Sequence, residues 1–280
     1  MTPPDAIAVP ALVNRTTERP TLAGTLASLV RYRELIRNLV LKDLKLKYRG
    51  SVLGFMWSLI NPIVMISVYA VAFTFILRTR VEGFVLFLLL GILPWGFFVN
   101  SANMATGAVI DNGSLMKSVA FPRAILPVAV VFFNLAQYLL TVMVLLPILL
   151  IAYRVPLSTQ MLLYPVFLAL QVLFTIGVAL LLAAGTAFFR DVRHLLEIAL
   201  SILFWLTPIV YPITQASPRV QTLILLSPLS PFIVAYQQIF YYRTWPGTEV
   251  WAMGIAYALL TFTAGVWLFL SVEDSLAEHL

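Results

Sequence analysis

The sequence predicts an all-α integral membrane protein. It should hold six transmembrane helices, an N-terminal amphipathic interface helix and two short re-entrant helices on the extracytoplasmic side before the last span. Three observations carry this prediction. No charged residue occurs in 51–77, 83–110, 124–153, 155–189, 198–218, 220–242 or 250–272, and a helix needs only about 20 apolar residues to cross roughly 30 Å of hydrocarbon. The 280-residue chain is 61% hydrophobic and 11% charged, with mean hydropathy +0.96, whereas a soluble domain carries about 25% charged residues. The apolar runs are also continuous rather than alternating, which disfavours a β-barrel.

Taken in order, residues 1–26 contain Pro and Thr without periodicity and are expected to form a flexible cytoplasmic tail. Residues 27–50 read as the amphipathic helix. Arg31, Glu34, Asn38, Lys42, Lys45 and Arg49 recur at intervals of 3, 4, 4, 3 and 4, which aligns them on one face. Leu35, Ile36, Leu39, Val40 and Leu44 occupy the other. A basic stripe opposite an apolar one suits the membrane interface; a solvated helix facing water is the alternative. The membrane domain, 51–272, divides into spans at about 53–77, 84–106, 125–152, 162–188, 195–213 and 250–271, leaving 273–280 as a C-terminal tail. Within 214–249, Ser227-Pro228-Leu229-Ser230-Pro231 interrupts an apolar run. Two prolines three apart disrupt a helix, so two short helices are expected, about 217–227 and 231–242. Such broken helices survive at membrane depth where protein or a water-filled cavity covers them.

Positive charge orients the bundle. With the N-terminus inside, the cytoplasm receives the basic block 31–49 plus Lys117, Arg123, Arg190 and Arg193, and the outside only Arg78, Arg80, Arg154, Arg219 and Arg243. Both termini are then cytoplasmic. The net charge of +6 is concentrated beside the first span. That position suits anionic membrane lipids or an acidic partner rather than nucleic acid. The N-terminus shows no signal peptide.

The residues that are missing narrow the function. Only Glu197 carries a carboxylate within the six predicted spans, at a helix start. Buried carboxylates usually mark proton or ion pathways, so a coupled carrier is disfavoured. The same holds for a membrane glycosyltransferase or hydrolase. With no cysteine and only His194 and His279 as histidines, the sequence offers no metal site and no catalytic set. No lysine follows a glycine, so the phosphate-binding loop is absent. ATP-driven work would need a second chain. No internal repeat relates the two halves, which disfavours an inverted-repeat transporter.

Aromatic residues are abundant in the spans. Most belong to interfacial belts and lipid-facing packing, yet aromatic faces also stack on sugar rings. Asn61, Asn100, Asn103, Asn134 and Gln137 lie in or beside spans near such aromatics. Polar side chains facing lipid are unfavourable, so each should face a helix contact or a conduit. Two loops read as docking surfaces. In 109–123, Asp111 would cap a helix running to about Ala120 before Pro122 stops it, and Leu115, Met116 and Val119 would give it an apolar patch. A plain connecting loop fits that segment equally well. Arg190-Asp191-Val192-Arg193-His194 has topological anchoring as its simplest role.

Several of these stretches together resemble the ABC type 2 exporter permeases, most closely the subfamily exporting lipid-linked polysaccharide of O-antigen, capsule, teichoic acid or galactan type. The run from Lys42 through Tyr48-Arg49-Gly50 to Trp57 carries the resemblance, followed by Asn61-Pro62, Lys117 with Phe121-Pro122-Arg123, and Phe189-Arg190-Asp191. It continues through Thr207-Pro208-Ile209-Val210-Tyr211-Pro212 and Ser227-Pro228-Leu229-Ser230-Pro231. It covers about 30–270. Ser227 departs from the Asn often found at that family position, and the long N-terminal tail has no counterpart.

The resemblance implies a homodimer of six-span subunits in the bacterial inner membrane, with two copies of a cytoplasmic ABC ATPase. ATP and Mg would be bound by that partner, and this chain would carry no cofactor. Arg37, Lys42, Lys45, Lys47, Tyr48 and Arg49 would form a gate helix guiding the polyprenyl-linked headgroup. Asp111, Leu115, Met116, Lys117, Phe121 and Arg123 would form the coupling helix seated in the ATPase. Trp57, Asn61, Tyr69, Phe73, Phe204, Trp205 and Tyr211 would line a glycan conduit. Pro228, Ser230, Pro231, Tyr236 and Gln237 would belong to the exit helices. Rival readings are an exporter of a drug or lipid on the same architecture, a non-catalytic membrane scaffold, and an enzyme acting on polyprenyl phosphates. The last would require acidic residues in an active-site loop, where only isolated charges occur.

Overall fold

A computed structural model describes residues 31–50, 54, 56–76, 81–113, 121–215 and 217–273, and these contain nine α-helices and no strand. Helix α1 (Arg33–Tyr48) precedes α2 (Met56–Val71), which a π-turn extends to Ile76. Then follow α3 (Phe84–Ala105), α4 (Ile125–Ala152), α5 (Tyr164–Phe188) and α6 (Val192–Leu206). The short helices α7 (Pro218–Leu225) and α8 (Ser230–Tyr236, continued as a π-turn to Tyr242) lead into α9 (Thr248–Val272).

Among the described residues, five helical segments are long and apolar enough to cross a membrane: Met56–Ile76, Phe84–Ala105, Ile125–Ala152, Thr159–Phe188 and Thr248–Val272. The expected breaks at the prolines are present. Arg219–Leu225 and Ser230–Tyr242 meet at a bend of 106°, because Pro228 and Pro231 supply no backbone N–H. The region expected as a span at 195–213 differs. Its helix α6 has 15 residues, about 22 Å at the usual rise, and it ends where Thr207 turns extended (φ −97°, ψ 133°). A residue before proline is pushed out of the helical region, and here Pro208 follows. Residues 207–210 are buried. A Cβ placed on Gly91 of α3 would stand 3.0 Å from the Ile209 side chain, so this stretch lies directly on α3.

Helix α3 is the hub: two-thirds of its most apolar window is buried, against 6% for α2. Helices α2, α4, α5 and α8 pack around it. Helices α5 and α9 make the most extensive pairing, in which Gly177 and Gly265 bring the two backbones together. Small residues permit such approach where lipid supplies no hydrophobic drive.

Polar contacts fix the bent pair. Gln237 Nε2 donates to the Pro208 carbonyl at 2.7 Å, and the Thr207 and Ser227 hydroxyls lie 3.1 Å apart. Tyr236 donates to Gln171 Oε1 at 2.7 Å, while Gln171 Nε2 donates to the Pro94 carbonyl at 2.9 Å. One buried glutamine thus ties α3, α5 and α8, satisfying polar groups that would otherwise cost about 1–3 kcal/mol each.

Candidate functional site

A cavity of about 370 Å³ opens between α2, α3 and α4, and Lys47 of α1 reaches into it. Its wall sets polar side chains among apolar ones such as Met65, Ile92, Leu93, Phe97 and Val99. Helix α2 contributes Trp57, Ser58 and Asn61; α3 contributes Trp95, Gly96 and Asn100; α4 contributes Asn134, Gln137, Tyr138 and Thr141. The spacing explains the convergence. Ser58, Asn61 and Met65 fall at intervals of 3 and 4, as do Asn134, Gln137 and Thr141, so each set shares one helical face.

The wall is partly organised. Asn134 Nδ2 donates to the Val130 carbonyl at 3.0 Å and lies 3.4 Å from Met104 Sδ. Thr141 Oγ1 lies 3.0 Å from the Gln137 carbonyl and 3.3 Å from the Ser58 carbonyl, so its one proton is shared between α4 and α2. The Tyr48 and Ser58 hydroxyls are 2.7 Å apart, which joins α1 to α2. Lys47 Nζ donates to Gln137 Oε1 and sits 5.8 Å from the centroid of the Phe133 ring. Partial burial pushes its ammonium below the ordinary lysine value of 10.5.

Placement of the expected gate residues is divided. Lys42, Lys45 and Arg49 are exposed, and Arg37 pairs with Glu34 at 3.6 Å on an open surface, where such a pair contributes little. Tyr48 is half-buried, and Lys47, though exposed overall, lays its ammonium against Gln137. Lys47 lies three helical turns beyond buried Ile36, so it falls on the apolar face that packs against α4. The expected face of Ile36, Leu39, Leu35 and Val40 does meet the core.

Of the expected conduit residues, Trp57 and Asn61 line the cavity. Tyr69, Phe73 and Phe204 form a chain of rings ending on its wall. Phe73 and Tyr69 are 6.5 Å apart, Tyr69 stacks on Phe204 at 5.9 Å, and Phe204 meets Trp95 edge-on at 5.5 Å. Trp205 points outward, 62% exposed, and Tyr211 donates to its carbonyl at 2.8 Å; neither borders the cavity. The residues that the conduit set omitted, Ser58, Trp95, Asn100, Asn134, Gln137 and Thr141, carried a signal in their helical spacing.

At the end of the bundle shared by Ala105, Ile125, Val192 and Val272, the expected coupling segment is partly described. Asp111 sits inside a 3-10 turn, Ile110–Asn112, whose cap position is Val109. Asn112 Nδ2 donates back to the Ala108 carbonyl at 2.9 Å. Leu115, Met116 and Lys117, with most of the expected helix, lie outside the described residues. Asp111, Asn103 and Gly107 face Arg193 and Glu197 of α6 across a cavity of about 400 Å³. Phe121 packs on the core. Arg123 is clamped to the end of α9: its N–H donates to Glu273 Oε1 at 2.7 Å, and its guanidinium donates to the Glu273 carbonyl. Of the expected exit residues, Ser230, Pro231, Tyr236 and Gln237 are buried and Pro228 is half-buried. Their surroundings are the core.

No group of three or more metal-ligating side chains occurs among the described residues. Residues 34–241 match the ABC-2 type transporter family. The chain belongs to this family. The O-antigen export system permease protein RfbA of Myxococcus xanthus is 33% identical over 257 residues, 90% of this chain and 97% of that protein. An O-antigen export system permease protein RfbA of Klebsiella pneumoniae is 29% identical over 199 residues, 71% of this chain and 77% of that protein. In this ABC-2 family member the matched region runs from α1 into the π-turn after α8.

Proposed function

We propose that this ABC-2 family member is the transmembrane subunit of an exporter that moves lipid-linked polysaccharide from the cytoplasmic to the outer side of the bacterial inner membrane. The carrying observation is the cavity between α2, α3 and α4, which gathers four carboxamides and two tryptophans on one wall. Carboxamides match sugar hydroxyls as donors and acceptors, and indole faces suit the C–H side of a sugar ring. The names of the relatives point to the same cargo class.

The chain works as one half of a homodimer with two copies of an ABC ATPase. That partner binds ATP and Mg and drives transport. Residues 109–123 seat in the ATPase, and the clamp of Arg123 on Glu273 would pass its motion to α9. The exposed Lys42 and Lys45 meet the anionic headgroup of the substrate at the mouth. Both termini face the cytoplasm. The test is reconstitution with the ATPase in lipid vesicles. ATP-dependent movement of a polyprenyl-linked glycan is expected. Equal movement without the ATPase, or none with it, overturns the proposal. Replacing Lys42 and Lys45 by Glu should lower transport while leaving the complex assembled.

A further inference from the structure

We propose that the end of the bundle opposite Arg123 binds the phosphodiester headgroup of an anionic membrane lipid through Arg154 and Arg243. Three candidate spans present their ends there. Phe84–Ala105 begins after Glu82 and Gly83, Ile125–Ala152 ends before Tyr153 and Arg154, and the bent pair ends at Tyr242, before Arg243. Gly83 brings them together: a Cβ placed on it would stand 3.7 Å from the rings of both Tyr153 and Tyr241. Tyr241 donates to the Glu82 carbonyl at 2.5 Å, and the 3-10 turn Thr159–Leu163 packs on the π-turn Gln237–Tyr242. Tyr153 and Trp245 are exposed beside the two arginines. Tyrosine and tryptophan gather at the headgroup level of a bilayer, which is the depth of the lipid phosphates.

Arg154 and Arg243 are exposed, and neither guanidinium has an ion-pair or hydrogen-bond partner among the described residues. The exposed Glu82 of the same patch pairs with neither. Both arginines hold a left-handed backbone, φ 51° and 56°, which no other non-glycine residue among those described adopts. Each closes a helix. Val155 N donates to the Leu150 carbonyl at 2.8 Å across Arg154, and the N–H groups of Arg243 and Thr244 both donate to the Gln238 carbonyl. Glycine is the usual residue at such a position, so a side chain kept there carries a backbone cost. A cation at a helix C-terminus offsets the dipole, but lysine would do that equally. The guanidinium adds a planar fork that fits two phosphate oxygens at once. Ile151, Leu157 and Leu162 stand largely exposed beside Arg154, an apolar flank for acyl chains. A lipid with a negative headgroup answers the free cations, the fork and the flank together.

Photocrosslinking of the full-length chain in phosphatidylcholine nanodiscs tests this, with phosphatidylglycerol carrying a headgroup diazirine as the probe. Peptide mapping should find label on residues 151–158 and 241–247. R154G/R243G should lower that label about tenfold, while label on the basic helix α1 stays constant as the internal reference. Glycine takes the left-handed backbone without strain, so this variant should melt at the wild-type temperature or above. R154K/R243K keeps the charge and the dipole pairing but loses the fork, and should recover less than about half of the label. The proposal is overturned by no label at these residues, by unchanged label in R154G/R243G, or by full recovery with lysine. Equal labelling by a phosphatidylcholine diazirine probe also overturns it, as does displacement by excess inorganic phosphate, which would make the ligand a free anion. The assay contains no ATPase, no glycan and no transport step, so its outcome is independent of the cargo.

Discussion

The backbone carbonyl of Gly177 in α5 occupies the space where Gly265 in α9 would carry a Cβ, and Gly177 itself lies against the backbone at Thr261 and Phe262. The contact is backbone to backbone, so no side-chain rotation can relieve an added methyl. Replacing Gly177 or Gly265 by Ala should cost about 1–3 kcal/mol or more, as overpacking does. Thermal unfolding in detergent reads the loss, and wild-type melting in both variants would show that the helices slide apart freely.

A second expectation concerns Tyr236. Its hydroxyl supports Gln171, which in turn holds the Pro94 carbonyl. Tyr236→Phe leaves a buried acceptor short of a donor and should destabilise the protein by about 1–3 kcal/mol. The same melting measurement decides it, with Tyr242→Phe at a half-buried position as the comparison.

Lys47 should be recognisable by pH. Its partial burial disfavours the ammonium, so the free amine forms at lower pH than in an unburied lysine. Acylation of Lys47, followed by peptide mapping, should reach half its maximum below pH 10.5. A midpoint above that value would mean that burial does not govern this group.

Topology can be read with single cysteines, because the chain has none of its own. Ser230 is a poor reporter, being fully buried, whereas Leu226 and Trp245 are 55% and 60% exposed. Leu226→Cys and Trp245→Cys should react with a membrane-impermeant maleimide from the outside in intact cells. Protection there, with labelling only after lysis, would reverse the orientation proposed above.

The docking role assigned to 109–123 has its own test. Leu115→Asp with Met116→Asp should leave the protein inserted but abolish co-purification of the ATPase, since two charges on an apolar patch remove its burial energy. Intact complexes in the double variant would move the docking surface elsewhere.

Sequence alone determined the elements that depend on nearest neighbours along the chain. Long charge-free runs require helices, because no water satisfies a backbone in lipid. Five such helices stand where the runs lie. Pro228 and Pro231 announced the bend between α7 and α8 for an equally local reason, the missing N–H. Pro208 carried a similar message for α6, but hydrophobic length outweighed it in reading 195–213 as one span.

Only the tertiary structure decided which side chains meet. Asn134 and Gln137 are polar residues on one face of α4, and Asn61 on α2 has the same character; nothing along the chain says that these faces converge with Asn100 on one cavity. The direction of Lys47 was likewise hidden: the resemblance grouped it with the gate residues, and only the packing of α1 on α4 brought it to Gln137. The bond between Arg123 and Glu273 joins residues 150 positions apart, and no local pattern encodes it. Backbone conformation follows from short-range sterics and solvation, whereas cavities and clamps arise from how whole helices pack, which depends on small residues such as Gly177 and Gly265 far from the site they help to shape.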